Sequence, residues 1–166
     1  MPKVYSFPPT AREDARVLLL GTMPGKASLL AQQYYAHPRN AFWSILAAIL
    51  GFDAADSYAA RLSSLSAAGI ALWDVLQSCS REGSLDANID RQGIVINDFV
   101  AFLAQHPQIR RICFNGAQAE ALFRRHVRPT LASPAHLEFI RLPSTSPAHA
   151  ALDFSGKLAT WKSILR

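Results

Sequence analysis

The sequence contains only two cysteines, Cys79 and Cys113, and they lie far apart in the chain. Neither belongs to a CxxC pair, whereas a zinc finger or an iron–sulfur cluster needs about four ligands. We therefore expect two buried thiols in a reducing compartment. We also expect no metal, no iron–sulfur cluster and no other cofactor.

Long apolar segments are missing as well. No run reaches the roughly 18 residues that a membrane-spanning helix needs, and residues 1–14 lack the apolar core of a signal peptide. We therefore expect a cytoplasmic protein with no membrane partner. Charged residues make up only 17% of the chain and hydrophobic residues 50%. This balance argues against disorder and suits one globular domain over residues 1–166.

The charge that is present is mainly positive. The formal net charge is +5, and only four of the 17 basic residues are lysine, so arginine predominates. Arginine makes bidentate contacts with phosphate, and a basic domain is a weak indication of nucleic-acid binding.

Short apolar runs bounded by glycine or proline predict four buried strands, at residues 17–20, 69–73, 109–114 and 137–142. Helical spacing and capping residues predict helices at 28–33, 41–50, 56–64, 98–105, 117–125 and 155–165, with Asn97 or Asp98 capping the fourth. Residues 1–15 and the polar segment 77–92 are predicted to be irregular. Strands separated by helices predict an α/β fold with a parallel sheet covered on both faces.

Ligands of such sheets bind at the carboxyl ends of the strands. The first strand runs into Gly21-Thr22-Met23-Pro24-Gly25, which is either a backbone amide cradle or a tight turn. Asp74 follows the second strand and either activates water or caps the next turn. Asn115-Gly116 after the third strand is interpreted as a turn.

The segment from Tyr34 to Asn40 is dense in aromatic and polar groups. Tyr34 and Tyr35 could stack on a flat base or fold onto the core. His37 could act as an acid, contact a phosphate, or do neither. Asn40 could hold a water molecule through its carboxamide or cap the helix that follows.

The fourth strand ends in Leu142-Pro143-Ser144-Thr145-Ser146-Pro147. Two prolines that flank three hydroxyl groups make a stiff loop with several hydrogen-bond donors. Such a loop can bind phosphates and push into a duplex, or it can cap the entry to the last helix.

Taken in order, these motifs resemble the uracil-DNA glycosylase superfamily, and within it the hypoxanthine-DNA (deoxyinosine) glycosylase group. The residues that carry the resemblance are Gly21–Gly25, Tyr35–Trp43 and Leu142–Pro147. The resemblance implies a three-layer α/β/α sandwich around a four-stranded parallel sheet. It also implies a DNA glycosylase of base excision repair that releases deaminated bases without a metal. Hypoxanthine is the first expected substrate, with xanthine and uracil open.

The resemblance also implies roles for individual residues. Met23 stands where mismatch-specific relatives carry a water-positioning asparagine, so that role passes to Asn40 as the catalytic residue. Base-binding roles fall on Gly21, Thr22, Met23, Tyr35 and Asp74. DNA-binding roles fall on Lys26, Arg39, Pro143, Ser144, Thr145, Ser146 and His149.

We expect a monofunctional enzyme, because Lys26 is the only lysine near these motifs in the sequence and none is an evident Schiff-base nucleophile. The expected partner is DNA that contains deaminated bases, and the expected state is a monomer. Met23 also motivates a second hypothesis, a non-catalytic module that binds damaged DNA or a nucleotide. A hydrolase of free nucleosides is a third.

Overall fold

The computed structural model describes residues 2–132 and 134–166. Within these residues the strands are β1 (Lys3–Tyr5), β2 (Val17–Gly21), β3 (Ile70–Asp74), β4 (Leu76–Arg81), β5 (Ile89–Ile96), β6 (Arg111–Asn115) and β7 (Glu138–Leu142). The helices are α1 (Lys26–Ala31), α2 (Phe42–Leu50), α3 (Tyr58–Ala67), α4 (Phe99–Gln105), α5 (Ala117–His126) and α6 (Phe154–Trp161).

The four predicted strands form one parallel sheet in the order β3-β2-β6-β7. Strand β2 lies in the middle, and all five of its residues are buried, as an apolar run in a doubly covered sheet requires. Its register places Gly21 beside Asp74, and that of β6 and β7 places Asn115 beside Leu142. The carboxyl ends of the strands therefore meet at one edge.

Alternate residues of β2 enter two different cores. Leu18 and Leu20 pack with apolar residues of α4 and α5, whereas Val17 and Leu19 pack with those of α2, α3 and α6. The three-layer α/β/α sandwich is therefore confirmed. Cys79 and Cys113 are free and buried, one in each core, as predicted.

The prediction of irregular structure was wrong for residues 3–5 and for most of 77–92, whereas residues 6–15 form no strand or helix and only an isolated bridge at Thr10. Strands β1, β4 and β5 form a second, antiparallel sheet in the order β1-β4-β5. Strand β4 alternates imperfectly between buried and open positions, and its pairing with β5 shifts register twice. A polar, irregularly paired strand gives no periodic apolar signal, so the sequence pattern missed it.

Some helix ends follow the predicted capping chemistry and others differ. Asp98 caps α4 by accepting a hydrogen bond from the Ala101 amide at 3.0 Å, and Gly51 ends α2 with a φ of 82°. The N-cap residue of α2 is Ala41 and not Asn40. Ser57 caps α3 by accepting from the Ala60 amide at 3.2 Å, so this helix starts at Tyr58, two residues later than predicted.

Candidate functional site

The carboxyl ends of the parallel strands open into a cavity of about 670 Å³. Its walls come from six separate parts of the chain: residues 21–28, 34–40, 84–87 and 144–149, and the strand ends Asp74 and Asn115. All of the predicted site residues line this cavity except Pro143, which lies outside it. Residues more than 100 positions apart in the sequence thus meet at one edge of the sheet.

The floor of the cavity is built around Gly21. A Cβ atom at this position would lie 2.5 Å from Asp74 Oδ1 and 2.7 Å from the Tyr35 hydroxyl. Only glycine leaves room for both groups, so Gly21 is required by close approach rather than by its backbone angles. Asp74 and Tyr35 therefore converge on the end of β2.

Tyr35 is held in a strained backbone conformation with a φ of 55°. Its ring stacks on Phe42, with ring centroids 4.0 Å apart and planes 20° from parallel. The amide of the next residue, Ala36, donates to Ser28 Oγ at 3.0 Å. A non-glycine residue in the left-handed region costs energy, and it is kept where the surroundings fix it. Here they fix the Tyr35 ring in the cavity wall.

The side chain of Tyr34 packs into the core, and the backbone of Tyr34 helps to fix Tyr35. Its side chain is buried and its hydroxyl donates to the Pro8 carbonyl at 2.8 Å. Its amide donates to the Tyr58 hydroxyl, and its carbonyl accepts from Trp43 Nε1. Tyr34 is thus fixed in the core at the edge of the cavity wall, whereas the Tyr35 hydroxyl reaches the cavity floor beside Gly21.

Asn40 combines the two roles that its sequence position left open. The N-cap residue of α2 is Ala41 rather than Asn40, but Asn40 Oδ1 accepts from the Phe42 amide at 3.0 Å. Within residues 2–132 and 134–166 no hydrogen bond involves Asn40 Nδ2. One lone pair of the oxygen and the amino group thus remain for a ligand, while the turn fixes the orientation of the carboxamide.

Asp74 is a buried carboxyl group at the end of β3, with 3% of its surface exposed. Its Oδ2 atom has no hydrogen-bond partner in the described part of the chain. Burial, and next the nearby Asp86 carboxyl, raise the pKa of Asp74 to about 8, and the Arg81 guanidinium opposes the shift. At neutral pH this group is therefore mostly a neutral acid.

The loop Gly21–Gly25 carries no polar side chain that reaches water. Met23 is buried in the apolar core, and the Thr22 hydroxyl is buried without a partner among the described residues. The carbonyl groups of Gly21 and Thr22 accept from the amides of Val75 and Leu76. A ligand cradle formed by this loop therefore has to use its N–H groups.

The sequence pattern missed one wall of the cavity, formed by residues 84–87 between β4 and β5. The buried Arg81 guanidinium donates to the carbonyl groups of Pro24 and Gly83. Ser84 Oγ accepts from the Lys26 amide at 2.8 Å. These contacts fasten the second sheet to the loop after β2 and bring Asp86 beside Asp74. No motif in the polar segment indicated this wall.

Sequence reasoning also missed Asn115, because an Asn-Gly pair is most simply interpreted as a turn. Its Nδ2 donates to Thr145 Oγ1 and its Oδ1 accepts from the Thr145 amide, both at 2.9 Å. The Thr145 carbonyl in turn accepts from the Ala41 amide at 3.0 Å. The end of β6, the serine-proline loop (residues 142–147) and the segment that contains Asn40 (residues 34–41) are therefore joined by hydrogen bonds.

Two side chains of α6 also hold the serine-proline loop in place. The Pro143 carbonyl accepts from Trp161 Nε1 at 2.9 Å, and the Ser146 carbonyl accepts from Lys157 Nζ at 3.3 Å. Lys157 is buried, and this burial lowers its pKa. Lys26 is thus not the only lysine near the site motifs, because folding brings Lys157 against the serine-proline loop.

Positive and titratable side chains surround the mouth of the cavity. Lys26, His37 and Arg39 are exposed, and His149 is partly exposed. Among the described residues, no cluster of three or more metal-binding side chains is found. None of the described helices is both long enough and apolar enough to cross a bilayer.

A comparison with protein families finds one match over most of the chain. Residues 8–164 match the model of the Uracil DNA glycosylase superfamily. The match includes every predicted site residue.

Two curated proteins are similar in sequence. One is a hypoxanthine DNA glycosylase of Methanosarcina acetivorans, 34% identical over 161 residues, which are 96% of each chain. The other is a hypoxanthine DNA glycosylase of Methanosarcina barkeri, 37% identical over 118 residues, which are 70% of this chain and 73% of that one.

A solved structure is similar in fold. It is the solution NMR structure of a candidate uracil DNA glycosylase from Methanosarcina acetivorans, with a TM-score of 0.83 and 32% sequence identity. The similarity covers 99% of this chain and 98% of the other.

Proposed function

Because this chain belongs to the uracil-DNA glycosylase superfamily, we propose that it is a monofunctional DNA glycosylase of base excision repair. It hydrolyses the N-glycosidic bond of deaminated bases, with hypoxanthine as the first substrate. The observation that carries this proposal is the convergence of Tyr35, Asn40 and Asp74 on one cavity large enough for a purine. The names of the two curated relatives support hypoxanthine.

In the proposed reaction the damaged nucleotide is turned out of the duplex and its base enters the cavity. The Tyr35 ring, which Phe42 supports from one face, stacks on the base. The base edge meets Asp74 and the backbone of Gly21, Thr22 and Met23. Stacking holds the base without depending on its identity, so the edge contacts select it.

Asn40 holds the attacking water in this proposal. Its carboxamide is oriented by the bond from the Phe42 amide and retains a lone pair for water. An amide orients water but does not remove a proton. Catalysis must therefore depend on stabilising the positively charged sugar and the departing base.

The proposed DNA contacts surround the mouth of the cavity. Ser144, Ser146 and His149 meet the phosphates beside the flipped nucleotide, and Lys26 and Arg39 line the same cavity. Pro143 and Thr145 act here by shaping the loop, since the Thr145 hydroxyl and amide both bond to Asn115.

The proposal extends to the whole chain as a single glycosylase domain, monomeric and cytoplasmic, that works on DNA without a metal. The two free, buried cysteines are consistent with a reducing compartment.

The deciding experiment uses duplex oligonucleotides that carry one inosine, xanthine or uracil. Base release followed by strand scission only after alkali supports the monofunctional enzyme. Tight binding without release would instead support a non-catalytic binding module. Release from free deoxyinosine alone would indicate a nucleoside hydrolase. Covalent trapping by borohydride would contradict monofunctional chemistry and would point to Lys157, the lysine packed against the serine-proline loop.

A further inference from the structure

Asp74 Oδ2 is a buried oxygen atom in the cavity wall with no hydrogen-bond partner within residues 2–132 and 134–166. The Thr22 and Tyr35 hydroxyls beside it make no bond of 3.5 Å or shorter, and the side chains nearest to pairing with them are Asp86 and Asn115. Buried polar atoms are nearly always paired, and an unpaired one costs free energy. The floor of the cavity is therefore built for a ligand that brings its own donors and acceptors.

Resting on the proposed function, we propose that Asp74 acts as a neutral carboxylic acid that pairs with the lactam edge of the extruded base. Its O–H donates to the ring carbonyl oxygen, and its other oxygen accepts from the adjacent ring N–H. Hypoxanthine and uracil gain this edge when deamination replaces an exocyclic amino group with a carbonyl group, and xanthine keeps the lactam edge of guanine. The contact thus selects lactam bases over adenine and cytosine, the parent bases of hypoxanthine and uracil.

The surroundings of Asp74 favour the neutral acid. The Tyr35 hydroxyl shares with Asp74 Oδ1 the space beside Gly21, and Tyr34 lies beyond Tyr35 in the same wall. Asp86 adds a second carboxyl group, and the Arg81 guanidinium is the positive group that opposes both. Arg81 donates through Nη2 to the Pro24 carbonyl and through Nε to the Gly83 carbonyl, and its buried Nη1 has no partner among the described residues. The effects of burial and of Asp86 on the pKa outweigh that of Arg81, so the pKa of Asp74 is raised to about 8.

The neutral acid also assists departure of the base. As the glycosidic bond breaks, negative charge accumulates on the base and reaches its carbonyl oxygen. A donor at that oxygen stabilises the charge in the transition state. An ionised Asp74 would accept only and would repel the departing base. This contact supplies the leaving-group stabilisation that Asn40 cannot provide.

The alternative role for Asp74 is activation of water, which requires the ionised form. The two roles predict opposite pH dependences. If cleavage needs the neutral acid, its rate is at its maximum below the raised pKa and falls as the pH rises through about 8. Cleavage that needs the carboxylate rises over the same interval.

The test compares the wild type with Asp74→Asn in single-turnover cleavage of inosine-containing duplex from about pH 6 to about pH 9. Asparagine presents one donor and one acceptor at every pH, so it mimics the neutral acid. At pH 7 we expect Asp74→Asn to cleave at least about tenfold faster than Asp74→Ala, because asparagine retains a donor and an acceptor for the base edge. Above pH 8 the ratio of variant to wild-type rate should rise about tenfold for each pH unit. The ratio on one substrate cancels any titration of the DNA.

Asp74→Ala is the matched variant that removes both groups, and it should lose about 100-fold in cleavage rate. Thermal melting of each variant shows whether it is folded. A constant rate ratio across the pH range, or a loss of activity in folded Asp74→Asn, overturns the inference. Release of hypoxanthine by the wild type is scored separately, because its absence would contradict the proposed function itself.

Discussion

Asn115 and Thr145 hold each other through two hydrogen bonds of 2.9 Å, one to the threonine amide and one to its hydroxyl. The pair joins the end of β6 to the serine-proline loop. Because Thr145 also accepts from the Ala41 amide, the pair controls the position of Asn40 from a distance. Asn115 can thus influence the geometry of the site through the serine-proline loop.

Replacement of Thr145 by valine tests this control. Thr145→Val keeps the shape of the side chain but leaves the Asn115 amino group without its acceptor, at a cost of about 1–3 kcal/mol. We expect a lower melting temperature and slower hypoxanthine release. Thr145→Ser, which keeps the hydroxyl, should retain most of both. Wild-type stability and activity in Thr145→Val, with a loss in Thr145→Ser, would show that the methyl group, and not the hydrogen bond, matters.

Asn40→Ala should abolish release of hypoxanthine from duplex DNA and leave DNA binding nearly intact, because only the water-holding carboxamide is lost. Single-turnover cleavage and a binding titration on the same duplex measure the two effects. The variant also loses the bond to the Phe42 amide, which should lower stability by about 1 kcal/mol.

Asn40→Asp provides the matched control for stability, since it keeps an acceptor for the Phe42 amide. Its melting temperature should equal that of the wild type. Normal cleavage by Asn40→Ala would remove Asn40 from the mechanism and would direct attention to Asp74 as the group that activates water.

Burial of Asp74 makes stability depend on pH in a direction opposite to that of a paired carboxylate. The pKa is about 8 in the folded chain, and its ordinary value is 3.8. The folded state therefore binds the extra proton between these values, and wild-type stability falls as the pH rises from about 4 to about 8.

Asp74→Asn lacks this loss, so its melting temperature relative to the wild type should increase over the same pH interval. Each kcal/mol corresponds to about 2–4 °C in a chain of this size. Differential scanning at several pH values measures the difference. A difference that stays constant with pH would show that Asp74 titrates normally in the folded protein.

Phosphate contacts at the mouth of the cavity should appear in the salt dependence of binding. Arg39→Ala and Lys26→Ala should each weaken binding to duplex DNA and reduce the slope of log K against log salt by about 1. Arg91→Ala, an exposed arginine of β5 outside the cavity, should leave the slope unchanged. A uniform effect of all three would indicate attraction by net charge alone.

The sequence predicted the parallel sheet because its strands are short apolar runs, such as the fully buried β2. It could not predict the second sheet, because the polar strand β4 shifts register twice against β5 and shows no simple period. The same failure concealed Asp86 and the wall at residues 84–87. The period of apolar residues in a sequence indicates which face of an element is buried. Residues 84–87 are instead positioned by the backbone pairing of β4 with β5 and by the hydrogen bonds of Arg81.

Some site residues could be predicted from the sequence, and the roles of others depend on tertiary contacts. Tyr35 and Asp74 were found because they follow strand ends or belong to a recognisable motif. Tyr34 and Tyr35 could not be separated in advance, since the φ of 55° at Tyr35 and the bond from the Tyr34 hydroxyl to Pro8 arise from tertiary contacts. Asn115 was interpreted as a turn because its partner Thr145 is 30 residues away.

The bond from Arg81 to the Pro24 carbonyl joins residues 57 positions apart, and the Asn115–Thr145 pair spans 30. The cavity therefore closes only when both sheets and the C-terminal helix have docked. A chain cut between the sheets has every motif but loses the contacts that assemble the pocket. Base excision thus requires the docked sheets as well as the motifs.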